Sequence, residues 1–163
     1  MKRILILLTL AIITCSSCKK WQHKYPEDTE RTKLTPEERL TGKYWKLSKT
    51  TFNGMDYTDS VKNTIGDYEI YFSLQEDTDR KTGRITTNIE GTFGTIWSFT
   101  LSDKSISISR MQGLDNNYPL VPCYYKIGGP YPLYSILQLS TSFFKIQYTN
   151  NENDTTITNE FTL

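Results

Sequence analysis

The sequence predicts an all-β domain, an antiparallel and mostly up-and-down barrel of eight strands, placed behind a short export signal. Three observations carry that expectation. From Tyr44 to the C terminus apolar and polar residues alternate with period two. Short polar turns separate several of the alternating runs, which makes consecutive strands antiparallel neighbours. No helical period fills any gap after residue 42, so parallel crossovers are not expected. A two-sheet β-sandwich satisfies the same pattern and stays open as the alternative.

At the N terminus, Lys2 and Arg3 precede an almost unbroken apolar run, Ile4 to Thr14, and Cys15-Ser16-Ser17-Cys18 follows at once. This is the layout of a secretory signal. A helix of about eleven residues rises only about 16 Å, roughly half a hydrocarbon core, so the run is too short to span a bilayer. Small residues just ahead of a cysteine resemble the lipobox of bacterial lipoproteins, in which the signal is removed and the new N-terminal cysteine is acylated. On that resemblance residues 1–17 are the signal and Cys18 is the lipidation site. Cys15, preceded by the bulkier Ile12, Ile13 and Thr14, is the alternative. An ordinary cleaved signal, leaving a soluble secreted protein, is the other reading. The Cys-x-x-Cys spacing also fits a redox or zinc motif, but its position after the apolar run favours targeting. Acyl chains contribute about 0.8 kcal/mol per buried methylene and would hold the domain on the cell envelope. The outer membrane, in its periplasmic or surface leaflet, is the expected address.

Residues 18–35 read as a lipidated N terminus with a flexible tether, since Lys19 to Lys33 has little apolar content beyond Trp21 and Tyr25. Thr35-Pro36-Glu37-Glu38 then carries a capping Thr, a Pro at the first helical position and a Glu three residues after the cap. A single helical turn, Pro36 to Leu40, should lead through Gly42 into the first strand. The domain therefore spans residues 36–163.

Within it Trp45 and Leu47 share a face, as do Tyr68, Ile70, Phe72 and Leu74, then Ile85, Thr87 and Ile89. Trp97, Phe99 and Leu101 follow, with Ile106 and Ile108 set between serines. Leu133, Ser135, Leu137 and Leu139 alternate with Tyr134, Ile136 and Gln138; Phe144, Ile146 and Tyr148 form the next face; Ile157, Phe161 and Leu163 form the last. Asp79 to Gly83, Ser102 to Lys104, Ser140 to Ser142 and Asn150 to Asp154 supply the turns.

Leu40-Thr41-Gly42-Lys43-Tyr44-Trp45-Lys46-Leu47, after a short helical turn, resembles the Gly-x-Trp opening of lipocalin-like domains, here spaced Gly-x-x-Trp. Gly94 to Phe99, the Ser-Ile-Ser-Ile-Ser strand and the closing Leu-Gln-Leu, Phe-Lys-Ile-Gln-Tyr and Thr-Ile-Thr-Asn-Glu-Phe strands are similar to lipocalin-like lipoproteins of Gram-negative bacteria. The resemblance covers residues 36–163 and implies a cup that holds a small apolar molecule. It also implies an Arg near the end of the barrel over the Trp, whereas no Arg follows Arg110 here. Trp45, Phe72, Trp97, Phe99, Leu137 and Phe144 are the expected interior residues. They either fill the barrel or line a ligand cavity, and the sequence leaves both open.

The longest break in the alternation, Arg110 to Pro132, holds Tyr118, Tyr124, Tyr125 and Tyr131 among prolines at 119, 122, 130 and 132. Tyrosines on a proline-stiffened loop suit ligand or partner contact at the mouth, and equally a plug over it. A formal charge of +1 and no basic run with interleaved aromatics argue against nucleic acid. His23 lies in the tether, leaving the domain without histidine, and Cys123 is its only thiol. Ser-His and Cys-His nucleophile pairs and His-based zinc sites are thereby excluded from it. The expectation is a non-enzymatic protein with no cofactor and no metal. Its partners would be the membrane, a small apolar ligand and, with a filled barrel, another protein of an envelope complex.

Overall fold

The computed structural model describes residues 25–30, 32–75, 81–88, 95–100, 102–109 and 133–163. The chain forms a closed eight-stranded antiparallel barrel with one extra strand. Helix α1 (Pro36–Leu40) precedes β1 (Tyr44–Phe52), β2 (Met55–Asp56) and helix α2 (Thr58–Ile65). Strands β3 (Glu69–Leu74), β4 (Thr82–Thr87), β5 (Thr95–Thr100), β6 (Ser105–Ser109), β7 (Leu133–Leu139), β8 (Phe143–Asn150) and β9 (Thr155–Thr162) complete it. Sheet order follows the chain from β1 through β3 to β9, and β1 pairs with β9 to close the cylinder. That closing pair, running from Lys46↔Thr162 to Phe52↔Ile157, excludes the sandwich. Closure gives each barrel strand a paired neighbour on both sides, while β2 adds a short hairpin on β1.

The α1 start is the one the sequence encodes. Thr35 Oγ1 accepts from the Glu38 amide at 3.3 Å and Glu38 Oε2 accepts from the Thr35 amide at 2.6 Å, with Pro36 in the first turn. Gly42, at φ 77°, turns the chain into β1 and donates its amide to the Phe72 carbonyl at 3.1 Å. The Trp45 indole donates back to the Leu40 carbonyl at 2.8 Å, fastening helix to barrel.

Period two then sends Trp45, Ile70, Phe72, Ile85, Trp97, Ile106, Phe144 and Phe161 into the interior, all essentially fully buried. Phe72 meets Trp97 and Phe144 edge-on with ring centroids 5.9 Å apart, and Phe144 stacks on Phe161 at 5.7 Å and tilts against Trp45 at 5.7 Å. This continuous set of rings occupies the half of the barrel nearest α1. Each such burial stabilises the fold by about 1.5–3 kcal/mol.

Four expectations are corrected. Residues 25–30 are not a solvated tether: Tyr25 and Asp28 are buried, and the Glu27 amide bonds the Leu137 carbonyl at 2.8 Å. They form a strap across the barrel end. A helix does follow residue 42, since α2 occupies the link between β2 and β3, started by Asp56 Oδ1 accepting from the Thr58 amide at 2.9 Å. Gly83 lies inside β4, opposite Leu74, not in a turn. On β7, Tyr134 and Ile136 face inward while Leu133 is exposed, the reverse of the expected parity. A β-bulge between Ile136 and Gln138 resets the alternation so that Leu139 is again buried, and Leu137, expected inside, is left half-buried at the bulge.

Candidate functional site

The two ends of the barrel are built differently. At the near end the strap and α1 meet the β7–β8 turn. Asp28 Oδ1 accepts from the Leu139 amide at 2.9 Å and Oδ2 accepts from Arg39 Nη1 at 3.2 Å; Arg39 also donates to the Leu139 carbonyl at 2.5 Å. Both side chains are almost wholly excluded from solvent, and the guanidinium lies 5.6 Å from the Tyr25 ring centroid. Burial pushes the Tyr25 phenol well above its ordinary range; Arg39 works against that shift, while Asp103, Asp28 and Glu37 add to it. Glu30 accepts from the Thr141 amide at 2.8 Å, and Lys81 bridges Glu37 at 2.8 Å and Asp103 at 2.6 Å. Lys43 sits 4.9 Å from the Trp45 ring centroid and bonds the Thr141 carbonyl at 2.8 Å, placing a Lys over the Trp. This end is a packed, charge-paired floor.

The far end is the one from which β6 departs after Ser109 and to which β7 returns at Leu133. Its inward residues are of another kind. Tyr68 and Tyr134 are buried, and the Tyr134 ring lies 5.8 Å from that of half-buried Tyr148. Burial raises the Tyr68 hydroxyl above its ordinary range, with the neighbouring Tyr134 adding to it. On the packed faces of α2, Val61 and Ile65 rest against the core. Between the tyrosines and the aromatic half lies one polar pair. Thr50 and Asn159 are direct cross-strand partners on β1 and β9, both 0% exposed, and the Thr50 hydroxyl donates to Asn159 Oδ1. The Asn159 amide nitrogen is buried with no hydrogen-bond partner among the described residues.

The chain places these residues by two different routes. Asn159 shares the inward parity of Ile157 and Phe161, so its burial follows from period two. Thr50 has the wrong parity relative to Trp45 and Leu47. A β-bulge between Leu47 and Lys49 corrects it, turning Thr50 inward in place of Lys49.

Of the interior residues expected from sequence, Trp45, Phe72, Trp97 and Phe144 are brought together in the core. Phe99 is half-buried, edge-on to Trp97 at 5.3 Å. Cys15, Cys18, Tyr118, Tyr124, Tyr125 and Tyr131 lie outside the described residues. Thr50, Asn159, Tyr68, Tyr134 and Tyr148 were not singled out as site residues. The alternation contained a signal for Asn159, an amide between Ile157 and Phe161 on an inward face, but none for Thr50. Among the described residues no cluster of three or more His, Cys, Asp or Glu is arranged to hold a metal. Among them, too, no helix is long and apolar enough to cross a membrane.

No protein-family model matches this chain, and no curated protein matches it.

Proposed function

We propose that this chain is a lipid-anchored, lipocalin-like binding protein of the bacterial cell envelope, acylated on Cys18, that takes a small apolar ligand at the far, mouth end of its barrel. The buried Thr50–Asn159 pair is the observation that carries the reading. A domain needing only a solid core would place apolar residues there, as it does at the cross-strand neighbour Ile146 and at Ile157 and Phe161. The aromatic half of the barrel, already full, confines the ligand to the tyrosine-lined half. Anchorage is supported by the Lys2-Arg3, Ile4 to Thr14 and Ser16-Ser17-Cys18 succession.

A second reading is favoured by a separate observation, the near-complete burial of the inward residues from Trp45 to Ile146. On it the barrel is a filled, non-enzymatic interaction module of an envelope complex. Two measurements decide. Native mass spectrometry of the purified protein should reveal a co-purified apolar molecule; a bare polypeptide that also takes up no apolar fluorophore supports the filled module instead. Cys18→Ala should release the protein from the membrane fraction, whereas release by Cys15→Ala alone would move the acylation site.

A further inference from the structure

We propose that Asn159 is the polar anchor of the far-half site and selects an apolar ligand bearing an uncharged carbonyl oxygen, as in a ketone, ester or amide. This rests on the ligand-binding reading above.

The first step is the state of the amide. Oδ1 is engaged by the Thr50 hydroxyl, which leaves the NH2 group, with two donors, without a partner among the described residues inside a 0% exposed residue. An unpaired buried donor costs about 1–3 kcal/mol, and an apolar residue here would avoid it. The second step is how firmly the amide is held. The bulge that turns Thr50 inward supplies the hydroxyl that fixes Oδ1, so the NH2 is the end presented to the interior. Thr50 is itself tied to α2, its amide donating to Thr58 Oγ1 at 3.0 Å and its carbonyl accepting from the Tyr57 amide at 2.9 Å.

The third step is the charge of the ligand. Among the described residues the buried charged side chains are Asp28, Glu37 and Arg39, all at the near end. Among the described residues the far half offers a carboxylate no buried cation, and desolvating one there would be costly. An uncharged acceptor suits a lone NH2 flanked by Ile157 and Phe161.

The test uses the full chain in lipid nanodiscs, with uptake by empty discs subtracted, and two probes of one shape, 2-acetylnaphthalene and 2-ethylnaphthalene. The unaltered protein should bind the ketone about tenfold more tightly than the hydrocarbon. The double variant Thr50→Val/Asn159→Leu should bind both with the weaker constant and melt no lower than the parent. Equal binding of the two probes by the parent, or a ketone preference that survives in the double variant, overturns the anchor while leaving ligand binding intact. Uptake of neither probe by the parent overturns the binding reading and the anchor with it. Because the parent's ratio is decisive alone, a double variant that fails to fold does not spare the proposal.

Discussion

The indole of Trp97 crosses directly over Gly83, its cross-strand partner on β4, to donate to the Ser73 carbonyl at 3.0 Å. A Cβ at Gly83 would stand 2.7 Å from the indole nitrogen and 1.6 Å from the Ser73 oxygen. Gly83 is therefore the space through which β3, β4 and β5 are joined by a side chain.

Gly83→Ala should destabilise the fold by about 3 kcal/mol, the upper part of the range for overpacking, because backbone must move. Trp97→Phe, which removes only the indole bond and some volume, should cost less. Urea unfolding followed by tryptophan fluorescence and circular dichroism checks the order; equal losses would mean that the strands shift freely at this point.

The buried Asp28–Arg39 pair predicts non-additivity. Asp28→Ala leaves the Arg39 guanidinium buried with the Leu139 carbonyl but no countercharge, a change of about 3–5 kcal/mol. Asp28→Leu with Arg39→Met should cost less than Asp28→Ala alone. A double variant that loses as much as the summed single changes would show the pair to be worth only its separate packing terms.

Chain truncation tests the strap independently. A protein starting at Thr32 loses Tyr25, the Asp28 contacts and the Glu30–Thr141 bonds and should melt several degrees below one starting at Tyr25. Identical melting of the two would show the strap to be decoration on a self-sufficient barrel.

Glu37 gives an acid-sensitive term. Burial works to raise its carboxyl, but the Lys81 ammonium 2.8 Å away, helped by its own amide and Thr35, outweighs this and holds it below the ordinary value of 4.5. A carboxyl depressed in the folded state contributes stability that is present above that ordinary value and is lost as pH falls through the folded one. Lys81→Met should lower the urea midpoint at neutral pH by the equivalent of less than about 1 kcal/mol, given the exposure of Lys81. The difference should shrink in acid below the ordinary Glu range. A gap that stays constant across that range would remove Glu37 from the account.

Much of the barrel was legible because its determinants are local. Alternation on β3, β5, β8 and β9, and the Thr35–Glu38 cap, depend on residues within a few positions of one another, and they behave as the pattern dictates except at Leu74 and Leu163, expected on the inward faces but left exposed at the strand ends. Helix α2 was missed because it is short, lacks a fully buried face and starts from an Asp56 side chain rather than from its own N-cap residue.

What the sequence by itself determined is the eight barrel strands, their antiparallel order and the apolar residues that fill the near half, since these follow from a two-residue period and short turns. What only the tertiary structure decided is barrel closure by β1 and β9, the parity of β7, the docking of residues 25–30 and the meeting of Thr50 with Asn159. Two of these turn on β-bulges, which shift a strand's facing by one residue and leave no mark in composition. The docked strap depends on a polar segment finding partners 111 residues away, as Asp28 does in the Leu139 amide. Period fixes which residues can share a face, but which polar groups meet across the barrel is set by the bulges and the distant partners that only the folded chain supplies.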